Sequence, residues 1–426
     1  MHSPAGLPKA AVRIRPARAG FALGLLTLAY SLNFLDRQIL AILLVPIQKE
    51  FGASDTAMGA LAGMYFAALF TLAGIPLAQL ADRGNRRNIL AFGLLAWSAM
   101  TLLCGLSRTF VQLALARVGV GIGEATCLPA SHSMISDLYP SERRPGALAI
   151  FSSGIHLGTL IAFALGGWFA ARYGWRSAFL AAGAPGVLLA LVLRWRLREP
   201  RRVDVLLAGT DLAQSTGTIR AGLRELFTNP RFLLLAGGAS ATSVVGYGYV
   251  LWNPAFLARL YKMPVQEVGL ALGLVCGIGG AIGTLGSGML AGRLARAAPY
   301  WLLGVPAIAL GFSILFYAGY VLAPNRTVAL VQLFFAQICA ASWFGPVFAA
   351  VQNAVRPERR ALAASVLLLL VTLVGLGLGP TLVGVINDHY KLLLGDFAIV
   401  RSLLVLLVFE VVAVWCFALA ALSESD

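Results

Sequence analysis

The sequence predicts an all-α protein that crosses a membrane twelve times, built as two six-helix halves. Three observations lead there. Apolar residues make up 59% of the chain and charged residues only 12%, against about 25% in a soluble protein. Lys and Arg are distributed unevenly between the loops of the two faces. Two short loop sequences also occur twice, at equivalent places in the two halves.

Twelve apolar segments of spanning length run at roughly 20–45, 55–80, 89–106, 109–136, 146–171, 176–195, 232–257, 267–291, 300–322, 327–353, 361–387 and 398–421. The first exceeds a signal-peptide core, and no small-residue cleavage site follows it, so it is expected to remain as helix 1. Residues 1–18 form a basic N-terminal arm and 19–195 the first six-helix bundle. Residues 196–229 form a polar, Arg-rich linker, 230–422 the second bundle and 423–426 a tail. The longest polar gap is this linker, so a large soluble domain has no room.

The net charge of +15 would suggest nucleic acid in a soluble chain. Here most of the Lys and Arg fall in the N-terminal arm and the loops after even-numbered helices. That is the positive-inside pattern, and it predicts both termini in the cytoplasm and no nucleic-acid partner. The five cysteines all lie in predicted helices and form no C-x-x-C, so they read as packing residues rather than disulfides or metal ligands. A Walker loop, G-x-S-x-G and H-E-x-x-H are missing from the sequence, which argues against an enzyme, a cofactor and a nucleotide-driven pump.

The repeat is short but placed consistently. "AQLADRGNR" after helix 2 matches "GMLAGRLAR" after helix 8, and "PSERRPGALA" after helix 4 matches "RPERRALAAS" after helix 10. A parallel repeat of two six-helix halves is a transporter architecture, with a site near the midplane between them.

Helix 1 contains "SLNFLDRQIL", with Asp36 and Arg37 near the middle of an apolar run of about 25 residues. Helix 4 contains "RVGVGIGEA", with Arg117 and Glu124 seven residues apart and so on one face. Gly119, Gly121 and Gly123 between them allow a neighbouring helix close. An ionised group at that depth is expensive unless it has a partner or a wet cavity. The four charges sum to zero, so two carboxylates and two guanidiniums can offset each other. One reading is a static clamp between helices 1 and 4. The other is a carboxylate that takes up and releases a proton during transport, since arginine does not titrate.

"LADRGNRR" resembles the loop signature of the major facilitator superfamily, G-x-L-A-D-R-x-G-R-R, with Ala78 for the leading Gly and Gly84 one place early. Together with "NFLDRQ" and "RVGVGIGEA" the chain resembles the Spinster-like family over nearly its whole length, as a bacterial member. The resemblance implies the major facilitator fold. It also implies that Asp36 and Glu124 are protonation sites, with Arg37, beside Asp36, as their partner, and that Arg117 is needed for transport. Asp82 resembles one half of an interdomain latch at the cytoplasmic face, beside Arg83, Arg86 and Arg87. Gly292 replaces this Asp in the second copy, and a topology-fixing basic loop is the alternative role.

Weaker candidates for the substrate cavity are Asn33 in helix 1, Ser153, His156 and Thr159 in helix 5, Tyr247, Tyr249, Trp252 and Asn253 in helix 7, and Trp343 in helix 10. The helix 7 group reads as the lining of an outer gate, with an interfacial aromatic belt as the alternative. The second half is poor in buried charge, with Gln337 near the place that Arg117 takes in the first. It carries Phe334, Phe335, Trp343, Phe344 and Phe348 in helix 10. Glu410 in helix 12 has no evident partner. A cavity polar on one side and aromatic on the other suits an amphiphile. Eukaryotic Spinster proteins move lysophospholipids or sphingosine phosphate, so the resemblance points the same way. The expected function is proton-coupled secondary transport of an amphiphilic or lipid-like molecule by alternating access. The partners would be this substrate, protons and membrane lipids, and the protein a monomer in the bacterial inner membrane. A drug-type efflux antiporter or uniporter of the same fold is the alternative.

Overall fold

The computed structural model describes residues 16–140, 143–199 and 215–423. Helix 1 is Pro16–Phe51. Helix 2 is Asp55–Ala60 and Phe66–Arg83, joined by a π-helical turn at Leu61–Tyr65. Helix 3 is Arg86–Leu106, and helix 4 is Phe110–Glu124 with Cys127–Leu138. Helices 5 and 6 are Arg144–Tyr173 and Trp175–Arg196. The linker contains an amphipathic helix, Ser215–Thr228, that hydropathy alone had not singled out. Helix 7 is Pro230–Leu260. Helix 8 is Val265–Leu274 and Gly280–Leu294 around a π turn at Val275–Gly279. Helix 9 is Trp301–Val321, and helix 10 is Arg326–Ala340 with Phe344–Asn353. Helix 11 is Arg360–Leu370 and Gly377–Leu394 around a π turn at Val371–Leu376, and helix 12 is Ala398–Leu422. Eleven stretches among the described residues are long and apolar enough to span, and the last, Leu362–Leu422, holds both helix 11 and helix 12.

Local chemistry sets these boundaries. Ser54, Asn85, Thr109, Asn229 and Asn325 each precede a helix and accept a backbone N–H of its first turn. Gly174, at φ +81°, makes the tight turn between helices 5 and 6. Helix 4 breaks after Glu124 because Pro129 offers no N–H to the carbonyl of Ala125, and the Thr126 hydroxyl donates to the Gly123 carbonyl at 2.8 Å instead. Helix 10 repeats the device: Pro346 offers no N–H to Ser342, and the helix resumes at Phe344.

The two halves pack alike. Helix 1 lies on helix 5 and helix 3 on helices 4 and 6; helix 7 lies on helix 11 and helix 9 on helices 10 and 12. Between the halves, helix 2 packs on helix 11, helix 5 on helix 8 and helix 1 on helix 7. These contacts lie in the middle and toward the face away from the chain termini, here the far face. There the backbones nearly touch: a Cβ at Gly59 would collide with the Pro380 carbonyl, and one at Gly269 with the Phe163 carbonyl. On the terminal side, Gly74, Gly146, Gly286, Gly288 and Gly292 have nothing within 4 Å of where a Cβ would stand. The second segments of helices 4 and 10 and the first of helix 11 pack against their own halves. The halves therefore part toward the terminal face and close at the far face. Three of the four outer contact helices carry a π turn near this parting, a common mark of functional bending.

Gly59→Val should destabilise the protein by about 1–3 kcal/mol, because the valine has only rigid backbone to displace. Gly74→Ala should be neutral. Thermal unfolding in detergent compares the two.

Candidate functional site

The two charged pairs of the membrane interior converge in the first half. Asp36 and Glu124 are each 1% exposed and Arg117 is 2% exposed. Arg37 donates to Glu124 Oε2 through Nε at 3.1 Å and Nη2 at 2.8 Å. Arg117 Nη1 donates to the backbone carbonyl of Asp36 at 2.8 Å. The pairing is thus crossed: the arginine beside Asp36 serves Glu124, and the arginine of helix 4 holds helix 1 by its backbone. Of the two carboxyls, Arg37 thus partners Glu124 rather than its neighbour Asp36. The Asp36 carboxyl is turned instead toward Thr101 and Trp97 of helix 3. Asp36 Oδ1 and Glu124 Oε1 are buried without a hydrogen-bond partner.

The three glycines of helix 4 act as expected. A Cβ at Gly123 would lie 2.8 Å from the Trp97 backbone nitrogen, one at Gly119 2.7 Å from Met100 and one at Gly121 3.3 Å from Phe66. Helices 2 and 3 approach the site through these gaps. Phe66 then lies 5.4 Å from each of the Arg37 and Arg117 guanidiniums, and Phe34 and Phe70 flank Arg37 at 5.1 and 5.0 Å. These rings offset the loss of water around the cations. Sequence reading missed them, because Phe66 and Phe70 at i, i+4 resemble ordinary core spacing. Asn33 joins the site, its amide donating to the Glu124 carbonyl at 3.4 Å.

Other candidates divide. Tyr247, from the second half, lies within electrostatic reach of Arg37 and Tyr30. His156 meets helix 8 at Gly280, where Gln337 of helix 10 also arrives. Thr159 bonds within its own helix, to the Ile155 carbonyl at 2.8 Å, and Ser153 likewise to Ile150 at 2.6 Å. Two residues proposed for the cavity lie elsewhere, and Trp252 sits at the far face, on the side where an outer gate was expected. Tyr249 is buried in the second half, its hydroxyl on the Leu403 carbonyl at 3.1 Å and its ring 4.0 Å from that of Tyr317. Trp343 is packed in the apolar core of helices 7, 9, 10, 11 and 12. Trp252 belongs to the far-face seal, its indole N–H donating to the Pro380 carbonyl at 2.9 Å. Asn253 beside it is 1% exposed, with neither amide atom paired. Counting back from the two helix-breaking prolines, Phe334 and Ala341 take the places of Arg117 and Glu124, and Gln337 that of Val120. Glu410, unpartnered in the sequence, accepts or shares a hydrogen bond with Ser313 at 2.9 Å.

At the terminal face the side chains of Asp82 and Arg83 lie outside the described residues. Arg86 does not act as a free loop cation. It is 1% exposed and bonds Asp137 at 2.5 Å, Glu199 at 2.7 Å and Ser133 at 2.8 Å. Glu199 also accepts the Arg87 backbone N–H at 2.8 Å. These bonds tie helix 3 to helix 4 and to the stretch just past helix 6, within one half. The signal available in the sequence was scarcity: with 18 acids against 33 bases, acids on the basic face are apt to be paired. Arg86→Gln should leave Asp137 and Glu199 short of a cation and cost about 2–4 kcal/mol, read as a lower unfolding midpoint. The milder Arg87→Gln, which keeps the backbone N–H, should move it little.

The model of the Major Facilitator Superfamily matches residues 26–380. An MFS-type efflux pump of Mycolicibacterium smegmatis is 35% identical over 417 residues, 95% of this chain and 93% of that protein. The sphingosine-1-phosphate transporter SPNS2 of Danio rerio is 29% identical over 241 residues, 56% of this chain and 47% of that one. A solved bacterial homologue of the human lysosomal transporter Spinster, in an inward-facing and unoccupied conformation, superposes with a TM-score of 0.86 at 30% identity, covering 97% of this chain and 98% of that one. Fold, charged motifs and relatives agree: this multi-pass membrane protein is a transporter of the Major Facilitator Superfamily, similar within it to the Spinster proteins.

Proposed function

We propose that the protein is a proton-coupled secondary transporter of an amphiphilic, lipid-like molecule, with Asp36 and Glu124 as the proton-carrying groups. The observation that carries this reading is the crossed cluster. Two buried carboxyls each keep one oxygen without a donor, in a first half whose two buried arginines are bound elsewhere on the same cluster. A proton added to Glu124 weakens its hold on Arg37. Arg37, 11% exposed and opposite Tyr247, is then free to turn toward the opening between the halves. Movement of helix 1 against helix 4 changes the Arg37–Glu124 distance, so conformation and protonation are linked. The static-clamp reading leaves those two unpaired oxygens without a purpose.

The amphiphile is supported by asymmetry. Arg37 and His156 approach from the first half, whereas the second presents Tyr247, Phe334 and Gln337. The zebrafish relative, named a sphingosine-1-phosphate transporter, and the mycobacterial one, named an efflux pump, are both compatible with export of such a molecule. The positive-inside pattern puts the terminal face, where the halves part, in the cytoplasm of a bacterial cell. The site lies within one chain, so the monomer is the transport unit.

One proton moving down 100 mV supplies about 2.3 kcal/mol, enough for nearly 50-fold accumulation at about 1.4 kcal/mol per decade. In proteoliposomes a pH gradient should drive concentrative movement of a lysolipid probe. Glu124→Gln and Asp36→Asn should each abolish the gradient-driven part while leaving probe binding or passive exchange. Flux with unchanged pH dependence in both variants would return the cluster to a clamp.

A further inference from the structure

The far face is closed by a set of polar contacts that neither the loop signature nor the proton site includes. Asp55 opens helix 2, and its carboxylate is 1% exposed. Arg259, at the end of helix 7 in the other half, meets both its oxygens: Nη1 on Oδ2 at 2.6 Å and Nη2 on Oδ1 at 2.7 Å. Arg259 Nη2 also donates to Gln48 Oε1, at the end of helix 1, at 2.8 Å, and the Gln48 amide donates to Asp55. The second half returns the exchange. Asp388, near the end of helix 11, accepts the backbone N–H groups of Asp55 at 3.1 Å and Thr56 at 2.8 Å. Those are unsatisfied donors at the positive end of helix 2, where an anion is favoured. Behind the pair, Arg259 stacks over Trp252 at 5.7 Å, and Trp252 is fastened to Pro380 of helix 11.

We infer that Asp55–Arg259 and Asp388 on the helix 2 N-terminus form a reciprocal latch that holds the far face shut and sets how often it opens. Each half supplies one acid to the other. Among the described residues, the Arg37–Glu124, Arg86–Asp137 and Arg176–Glu50 pairs lie within the first half instead. The buried Asp55 carboxylate makes the latch all-or-none. It cannot lose Arg259 and stay buried without a large penalty, so helix 2 must leave helices 7 and 11 together and carry the carboxylate into water. The fork matters as well as the charge, because a lysine offers a point charge that cannot span both oxygens.

The inference rests on alternating access, and its test uses neither substrate nor a pH gradient, so it fails separately from proton coupling. Spin labels at Arg108 in the first half and Leu392 in the second, both exposed near the far face, report its opening in lipid nanodiscs. Arg259→Gln and Asp388→Asn should each raise the far-face-open population about ten-fold or more. Arg259→Lys should fall between. Should Arg259→Gln not fold, the double variant Asp55→Asn/Arg259→Gln leaves no unpaired charge and reads the same distance. Its effect should be smaller than the sum of the two single effects, as for partners in one contact. Distances identical to wild type in the folded variants, or strictly additive effects at Asp55 and Arg259, would overturn the latch.

Discussion

Charge inside a membrane helix has to be answered by a partner, and the bonds of Arg37 to the Glu124 carboxylate and of Arg117 to the Asp36 backbone carbonyl are that answer here. Helix 1 and helix 4 each carry an acid and a base, and the pairing is crossed between helices rather than made within them. Crossing does two things. It binds the two helices into one unit, and it makes their separation a change in electrostatic environment for both carboxyls. Much of the surrounding structure serves that contact. The glycines of helix 4 bring helices 2 and 3 in close, the Phe66 ring lies near both guanidiniums, and the break caused by Pro129 lies one residue past Glu124.

The second half repeats the scaffold without the charges. Pro346 breaks helix 10 as Pro129 breaks helix 4, yet the matching positions are Phe334 and Ala341. One half thus holds the cluster of buried acids and bases, and the matching positions of the other are uncharged. Between them the contact helices touch backbone to backbone only where glycine permits, and toward the terminal face they diverge. The far-face contacts and the cluster of helices 1 and 4 are therefore separate parts, one at the closed end and one inside the first half.

The twelve crossings were legible because spanning length and apolar composition are local properties. The buried charges were legible for the same reason: Asp36, Arg37, Arg117 and Glu124 stand out against an apolar background. Their pairing was not. Whether Arg37 serves Asp36 or Glu124 depends on the rotation of helix 1 against helix 4, which hydropathy does not encode. Tyr249 and Trp343 were misjudged because an aromatic residue in a membrane helix reads alike toward core, cavity or lipid. Asp55, Arg259 and Asp388 escaped notice because they look like ordinary helix-end charges, and Asp388 meets helix 2 across 333 residues of chain. Arg86 was read as a loop cation because its acids, Asp137 and Glu199, come from helix 4 and from the stretch past helix 6.

Infrared difference spectroscopy of the purified protein in lipid, titrated through pH without substrate, tests the central claim most directly. It follows the carbonyl stretch of protonated carboxyl groups. The account predicts a band that appears and disappears with pH in wild type and is altered in turn by Asp36→Asn and by Glu124→Gln, with Glu410→Gln removing a separate component at most. A wild-type spectrum whose pH-dependent carboxyl bands survive both cluster substitutions unchanged would contradict it.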